Sequence, residues 1–360
     1  MKKEISLNSK SSSIIFPKLR LENNKIKPFY VLTFLIIILI LTFLISFSIG
    51  GYSISIIETL KLLFSRLVGT NINGNTAATV LFKVRLPRIF SAIMIGAALS
   101  ISGSSYQGLF KNPMVSPDIL GASAGAGLGA ALAILLSLKS FEIQLMSFGF
   151  GLAAVMLSYT ISKIISDGEG SILSLVLTGM IISTLCSSFI SLIKYIGDPY
   201  NKLPEITFWL MGGLSAITVK DTELMLIPML IGTIPLVLLR WNLNALSFGD
   251  DEASSLGINT KKIRFIIIIC STLITAVSVS VGGIIGWIGL IIPHLSRMLV
   301  GPNYKILIPT SLIVGGIYLL LVDDIARSFF TMEIPLGILT SLIGAPFFIY
   351  LLLKGKKGWI

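Results

Sequence analysis

Three arginines and one run of acids stand out as groups able to do chemistry in a chain that otherwise offers little. Arg85 and Arg88 lie three apart in R-L-P-R, so a single helix face would carry both. A guanidinium holds a carboxylate through two parallel hydrogen bonds, which suits reversible capture of an acidic partner. Snorkelling to a membrane interface is the simpler use of the same two side chains. Arg327, in D-D-I-A-R, has Asp323 and Asp324 at helical spacing, so a local ion pair is open to it as well. The acidic run lies in Leu246 to Ile263, L-S-F-G-D-D-E-A-S-S-L-G-I-N-T-K-K-I, a stretch too polar to cross lipid. Asp250 can cap a short helix there, Asp251 and Glu252 suit its positive first turn, and Gly257 can close it in the left-handed conformation. That makes either a rigid knob for a partner or an ordinary solvated loop helix.

Other reactive groups are sparse. His294 is the single histidine, follows Pro293, and has no Cys, Asp or Glu at ligand spacing, so it reads as a structural hydrogen bonder and no metal site is expected. Cys186 and Cys270 sit inside apolar runs, where a thiol behaves as a small buried hydrophobe. No G-x-x-x-x-G-K-[ST] occurs, so the amides and lysine that cradle a nucleotide phosphate are missing and no cofactor is expected. Asp323 and Asp324 could hint at metal-diphosphate chemistry in a membrane enzyme, but no second acidic cluster faces them.

The elements that must hold these groups are membrane spans. Of 360 residues, 54% are apolar and only 12% charged, and the mean hydropathy is +0.92, whereas soluble domains carry roughly 25% charged residues. A crossing takes roughly 20 apolar helical residues, and ten runs qualify: 29–49, 89–110, 119–138, 145–165, 172–196, 224–239, 263–281, 284–300, 306–322 and 336–353. The expectation is an all-α polytopic protein, with a basic tail over 1–28, one transmembrane domain over 29–354 and a short tail over 355–360. The first run lacks a small-residue cleavage pattern and reads as a retained span.

Lys and Arg orient the chain, because loops that hold them stay cytoplasmic. Both tails are basic, and Lys111, Lys163, Arg240, Lys261, Lys262, Arg264 and Lys305 fall on turns facing the same side. Both termini are therefore expected in the cytoplasm. This bias and anionic lipid account for the net charge of +11, and no nucleic-acid partner is expected. Arg85, Arg88 and Arg327 fall at outer ends, against the bias. Tyr52 to Val84 reads as a weakly apolar outer segment, and Asp198 to Thr218, with Trp209, as an outer loop carrying a short interfacial helix.

Small residues recur at helical spacing in G-A-A-L-S-I-S-G from Gly96 and in L-G-A-S-A-G-A-G-L-G to Gly129, where they allow close backbone approach. With R-L-P-R, the N-P turn at Asn112, G-G-I-I-G-W-I-G-L-I-I-P-H-L-S-R from Gly282, D-D-I-A-R, and E-I-P-L-G-I-L-T-S-L-I-G-A-P-F-F from Glu333, these runs resemble the FecCD-type permeases, the membrane subunits of type II ABC importers. The resemblance covers about residues 29 to 354.

The resemblance implies a ten-span type II fold and a dimer with a second permease subunit around a central pathway. It also implies two ABC ATPase subunits on the cytoplasmic face and an extracytoplasmic binding protein that delivers an iron-siderophore, haem or cobalamin ligand; iron-siderophore is the expected one. Gly249, Asp250, Glu252, Ala253, Leu256 and Gly257 are then expected to couple to the ATPase. Arg85, Arg88 and Arg327 are expected to meet glutamates of the binding protein. The fifth and tenth spans would line the pathway with Thr178, Ser183, Ser187, Ser188, Ser191, Thr340 and Ser341, although such hydroxyls commonly bond their own helix. The turn Ser166 to Ser174, with Ser171 and Ser174, would form the inner gate. A secondary transporter is the rival reading, but it would usually show ionisable residues deep in its spans, and these spans are nearly devoid of them.

Overall fold

An apolar run in lipid has no water to satisfy its backbone, so it must close its hydrogen bonds within a helix. The computed structural model describes residues 28–50, 52, 54–68, 75–166, 172–329 and 332–355, and no strand occurs among the described residues. The helices are α1 (Pro28–Ser46), α2 (Ile56–Val68), α3 (Thr76–Thr79), α4 (Leu86–Leu109), α5 (Ala122–Leu135), α6 (Ser140–Ile165), α7 (Ile172–Ile196), α8 (Lys202–Met211), α9 (Val219–Leu238), α10 (Arg240–Phe248), α11 (Asp250–Ser255), α12 (Thr260–Gly282), α13 (Ile288–Val300), α14 (Tyr304–Ala326) and α15 (Leu336–Gly355). Seven segments are long and apolar enough to cross a membrane: α1, the continuous run Thr76–Leu109, α6, α7, α9, α12 and α14. With the shorter apolar helices α5, α13 and α15 they account for the ten expected spans. The short helix expected around Trp209 is present as α8.

The second span departs from expectation at its start. The apolar run was expected to begin at Ile89. The helix instead begins at Thr76 and runs unbroken to Leu109, with a π-helical segment at Val80–Arg85. Pro87 explains the segment: proline in a helix interior lacks an N–H and crowds the carbonyl four residues back, and widening the preceding turn relieves both problems. The Leu86 N–H accordingly reaches the Leu81 carbonyl, five residues back. The stretch expected as a weakly apolar outer loop thus holds α2 and the first turns of this long helix.

The core lies around α4, α12 and α14. Of their most apolar stretches, 67%, 72% and 61% of residues are buried, against 28% for α6 and α7, 22% for α9 and 11% for α1. Glycines let the central helices touch backbone to backbone. A Cβ on Gly96 would stand 2.2 Å from the Gly315 carbonyl oxygen, and one on Gly103 only 1.8 Å from that of Gly289, so the small-residue stripe of α4 is spent on contact with α14 and α13.

Candidate functional site

Because the π segment shifts the helical register just ahead of α4, both arginines of R-L-P-R turn inward. Arg85 is buried and donates to the backbone carbonyls of Phe47 and Tyr52, which cover it. Arg88 is buried as well and holds two carboxylates at once. Its Nε and Nη2 donate to Asp323 at 2.8–3.0 Å, and its Nη1 donates to Glu333 at 2.8–2.9 Å. Arg327 donates to Asp324, to the hydroxyl of Ser46 and, at 2.8 Å, to the Ser46 carbonyl. The Ser46 hydroxyl donates in turn to Asp324 at 2.6 Å. The result is an ionic lattice that ties the end of α1, the start of α4, the end of α14 and the entry to α15.

These positions revise the expectation for the arginines. None snorkels, and each is engaged within the chain. The local pairing open to Arg327 is present, with Asp324 at i−3 and Asp323 at i−4, the latter 3.7 Å away. Ser46 and Glu333 were not singled out from sequence. Glu333 is the member that faces solvent: its side chain is 44% exposed, against 0% for Asp323. Beside it opens a cleft of about 380 Å³ whose lining includes Arg88, Gln144, Glu205, Asp221 and Glu333.

The acidic knob lies at the opposite end of the bundle. Helix α4 runs from Arg88 to Gly108, where Tyr304 packs against the glycine, and the Tyr304 N–H donates to Asn244 of α10 at 2.9 Å. From there the chain turns at Gly249, whose φ of 150° favours glycine, into α11. Asp250 is not the cap that was expected. It occupies the first turn, Gly249 stands at the cap position, and both Asp250 carboxylate oxygens accept from Arg264 of α12 at 2.6 Å. Gly257 does take the left-handed position, φ 78°, and the Ile258 N–H reaches back to the Ala253 carbonyl at 3.1 Å. Ala253 is buried under the knob, Leu256 is 61% exposed, and Phe248 at the end of α10 is 78% exposed. Phe248 was not singled out, yet a phenylalanine inside a polar stretch was the available signal.

The hydroxyls expected to line a pathway bond their own helices. Ser183, Ser187 and Ser191 donate to the carbonyls four residues back at 2.8–3.0 Å. Thr340 and Ser341 both reach the Gly337 carbonyl. Thr178 and Thr340 are buried within the subunit, whereas Ser187 and Ser191 lie on an open flank of α7 with Leu177, Ile181, Thr184 and Leu185. Of the expected inner gate, Ser171 falls outside the described residues. Ser174 is described, and its Oγ lies 2.6 Å from that of Ser162 and 2.7 Å from that of Ser166, tying α7 to the end of α6. His294 stacks on Phe348 with ring centroids 6.2 Å apart, and its Nδ1 lies 3.3 Å from Nη1 of Arg297.

Comparison with known proteins gives a consistent result. The profile of the FecCD transport family matches residues 38–354. The molybdate import system permease protein MolB of Haemophilus influenzae is 41% identical over 326 residues, 90% of this chain and 95% of its own length. A protein of Helicobacter pylori described as an iron chelatin transport system permease is 37% identical over 282 residues, 78% of this chain and 85% of that one. A solved structure described as an inward-facing conformation of a metal-chelate type ABC transporter superimposes with a TM-score of 0.81 at 40% identity, over 90% of this chain and 99% of the other.

Proposed function

The chain belongs to the FecCD transport family, and from that premise we propose that it passes an iron chelate of the siderophore type, handed over at the Arg88 end and driven by ATPase subunits at the α11 end. It is a multi-pass membrane permease subunit of an ABC importer and not itself an enzyme. Hydrolysis therefore belongs to an ATPase partner, and ligand capture to a binding protein. On the bias of Lys and Arg both termini lie in the cytoplasm, a second copy of this chain or a near relative completes the pathway, and membrane lipid surrounds the pair.

The observation that carries this reading is the placement of two differently built sites at opposite ends of one bundle. At one end sits the short helix α11, flanked by the exposed Phe248 of α10 and the exposed Leu256 and anchored to α12 by Asp250 and Arg264. At the other sits the arginine lattice, next to an open cleft. A binding protein that brings carboxylates to the lattice would dock there, with Arg88 as its target.

The flank of α7 bears on the ligand. Between Ile172 and Leu192 it holds no ionisable residue other than Cys186, and the pathway serines named above are engaged with their own carbonyls. A bare oxyanion moving at that depth would call for cations or free donors. A chelate brings its own organic shell and does not. Molybdate is the second reading, favoured by the 41% identity to MolB.

One reconstitution tests both ends. In liposomes with its ATPase and binding protein, the complex should take up radio-iron chelated by a siderophore and not radio-molybdate. The change Leu256→Arg should abolish uptake by loosening the ATPase, because a charge would enter a surface built around exposed apolar side chains. Uptake of molybdate alone would overturn the iron assignment. Full ATPase retention in Leu256→Arg would remove α11 as the contact.

A further inference from the structure

The arginine lattice contains a carboxylate that is out of keeping with the rest. Asp323 and Asp324 are buried, as are all three guanidiniums, but the Glu333 side chain is 44% exposed and reaches in from the short segment before α15. It takes only the Nη1 side of Arg88, while Asp323 holds Nε and Nη2 from the opposite, fully buried side. Arg88 therefore has a permanent half and an exchangeable half. The cleft is lined by both Arg88 and Glu333, so an incoming group has a route to the guanidinium and Glu333 has space to leave.

We infer that Glu333 is an internal stand-in for the carboxylate of the binding protein: it occupies the outward half of Arg88 in the undocked permease and is displaced when the partner's carboxylate arrives. This rests on the docking reading given above. It follows that Arg88 is the exchangeable member of the three arginines, because Arg85 is capped by backbone carbonyls and Arg327 by Ser46 and Asp324. Exchange removes no charge pair from the low-dielectric interior. One carboxylate replaces another, and the buried cation is never left unpaired, which would be the costly state.

Displacement also acts on α15. The segment carrying Glu333 is also tied by the Leu336 N–H on the Gly212 carbonyl at 2.9 Å, by a long contact of 3.4 Å from the Ile334 N–H to the Ala326 carbonyl, and by the buried Leu336 side chain. Releasing Glu333 loosens the residues just ahead of Leu336, which stays anchored at the start of a helix that the family resemblance puts beside the pathway.

The test measures affinity of the binding protein for the assembled permease–ATPase complex in lipid nanodiscs. Glu333→Gln keeps the shape but weakens the internal competitor, and affinity should rise about tenfold, close to the lower limit of coupling between close interfacial charge pairs. The gain should vanish when the acidic residues on the binding protein's docking face are changed to Gln. Glu333→Asp, too short to reach Arg88 with the same geometry, should tighten binding in the same direction. If neutralising the partner's carboxylates weakens docking but Glu333→Gln leaves affinity unchanged or lower, docking stands and the stand-in role is wrong. If neutralising them changes nothing, the docking reading itself fails and this inference with it. Retention of the ATPase by each variant confirms that the complex assembled.

Discussion

Arg88 gathers Asp323 and Glu333 into one buried cluster, and the balance of forces there sets what mutation will do. Desolvating a guanidinium is expensive and is offset by two charge-assisted pairs. Removing the arginine alone leaves Asp323, whose side chain is fully buried, beside Asp324 with only the longer 3.7 Å contact to Arg327. We expect Arg88→Ala to destabilise the protein by about 3–5 kcal/mol, read as a lower unfolding midpoint in detergent. Replacing both Arg88 and Asp323 by Leu should recover most of that loss, since two apolar groups leave no orphaned charge. An Arg88→Ala midpoint equal to that of the parent would mean that water reaches the site. Sequence could mark Arg88 as a cation on the wrong side of the membrane, and could offer Arg327 its acids one helical turn away. It could not supply Arg88 with partners, because Asp323 and Glu333 lie 235 and 245 residues further along the chain. Pairings of that separation follow from how helices assemble, not from any local pattern.

At the scale of elements, the close pairs of glycines carry the packing. Lipid gives helices no hydrophobic reason to associate, so backbone contact and dispersion must do it. A methyl group on Gly103 would stand 1.8 Å from the Gly289 carbonyl oxygen, which is main chain and cannot swing aside. Gly103→Ala should therefore force α4 and α13 apart and cost about 1–3 kcal/mol or more, measurable as earlier thermal aggregation of the solubilised protein. The same change at Gly213, which has open space around it, serves as the control. The ten apolar runs were readable because hydropathy over such lengths is a strong signal. Helix ends were less so. The second run was expected to start at Ile89, whereas the helix begins at Thr76, because a π turn can absorb Pro87 and such a turn leaves no mark in composition. Asp250 read as a cap because acids favour both the cap and the first turn, and only the Arg264 contact decides between them.

For the whole molecule, sidedness is the property on which both proposed sites depend. Cysteines placed at the two ends can report it. In intact cells, Glu205→Cys on α8 should react with a membrane-impermeant maleimide, while Leu256→Cys should react only after the membrane is opened; native Cys186 and Cys270 are buried and give a low background. Labelling of Leu256→Cys in intact cells would invert the topology and both site assignments with it. The uneven burial described above has a mechanical meaning too. The knob α11 is joined to α12, whose apolar stretch is 72% buried within the chain, against 28% for α7 and 22% for α9. A stiffly clamped helix transmits rotation and resists bending. The 23 residues of α12 make an arm of about 34 Å, so tilting it by about 5° about its inner end would carry its outer end through about 3 Å. That outer end is where the Gly282 carbonyl accepts from Gly213, next to the Gly212 carbonyl that holds Leu336 of α15. Under the coupling role proposed for α11, a small stroke delivered at the knob would therefore reach the segment that carries Glu333.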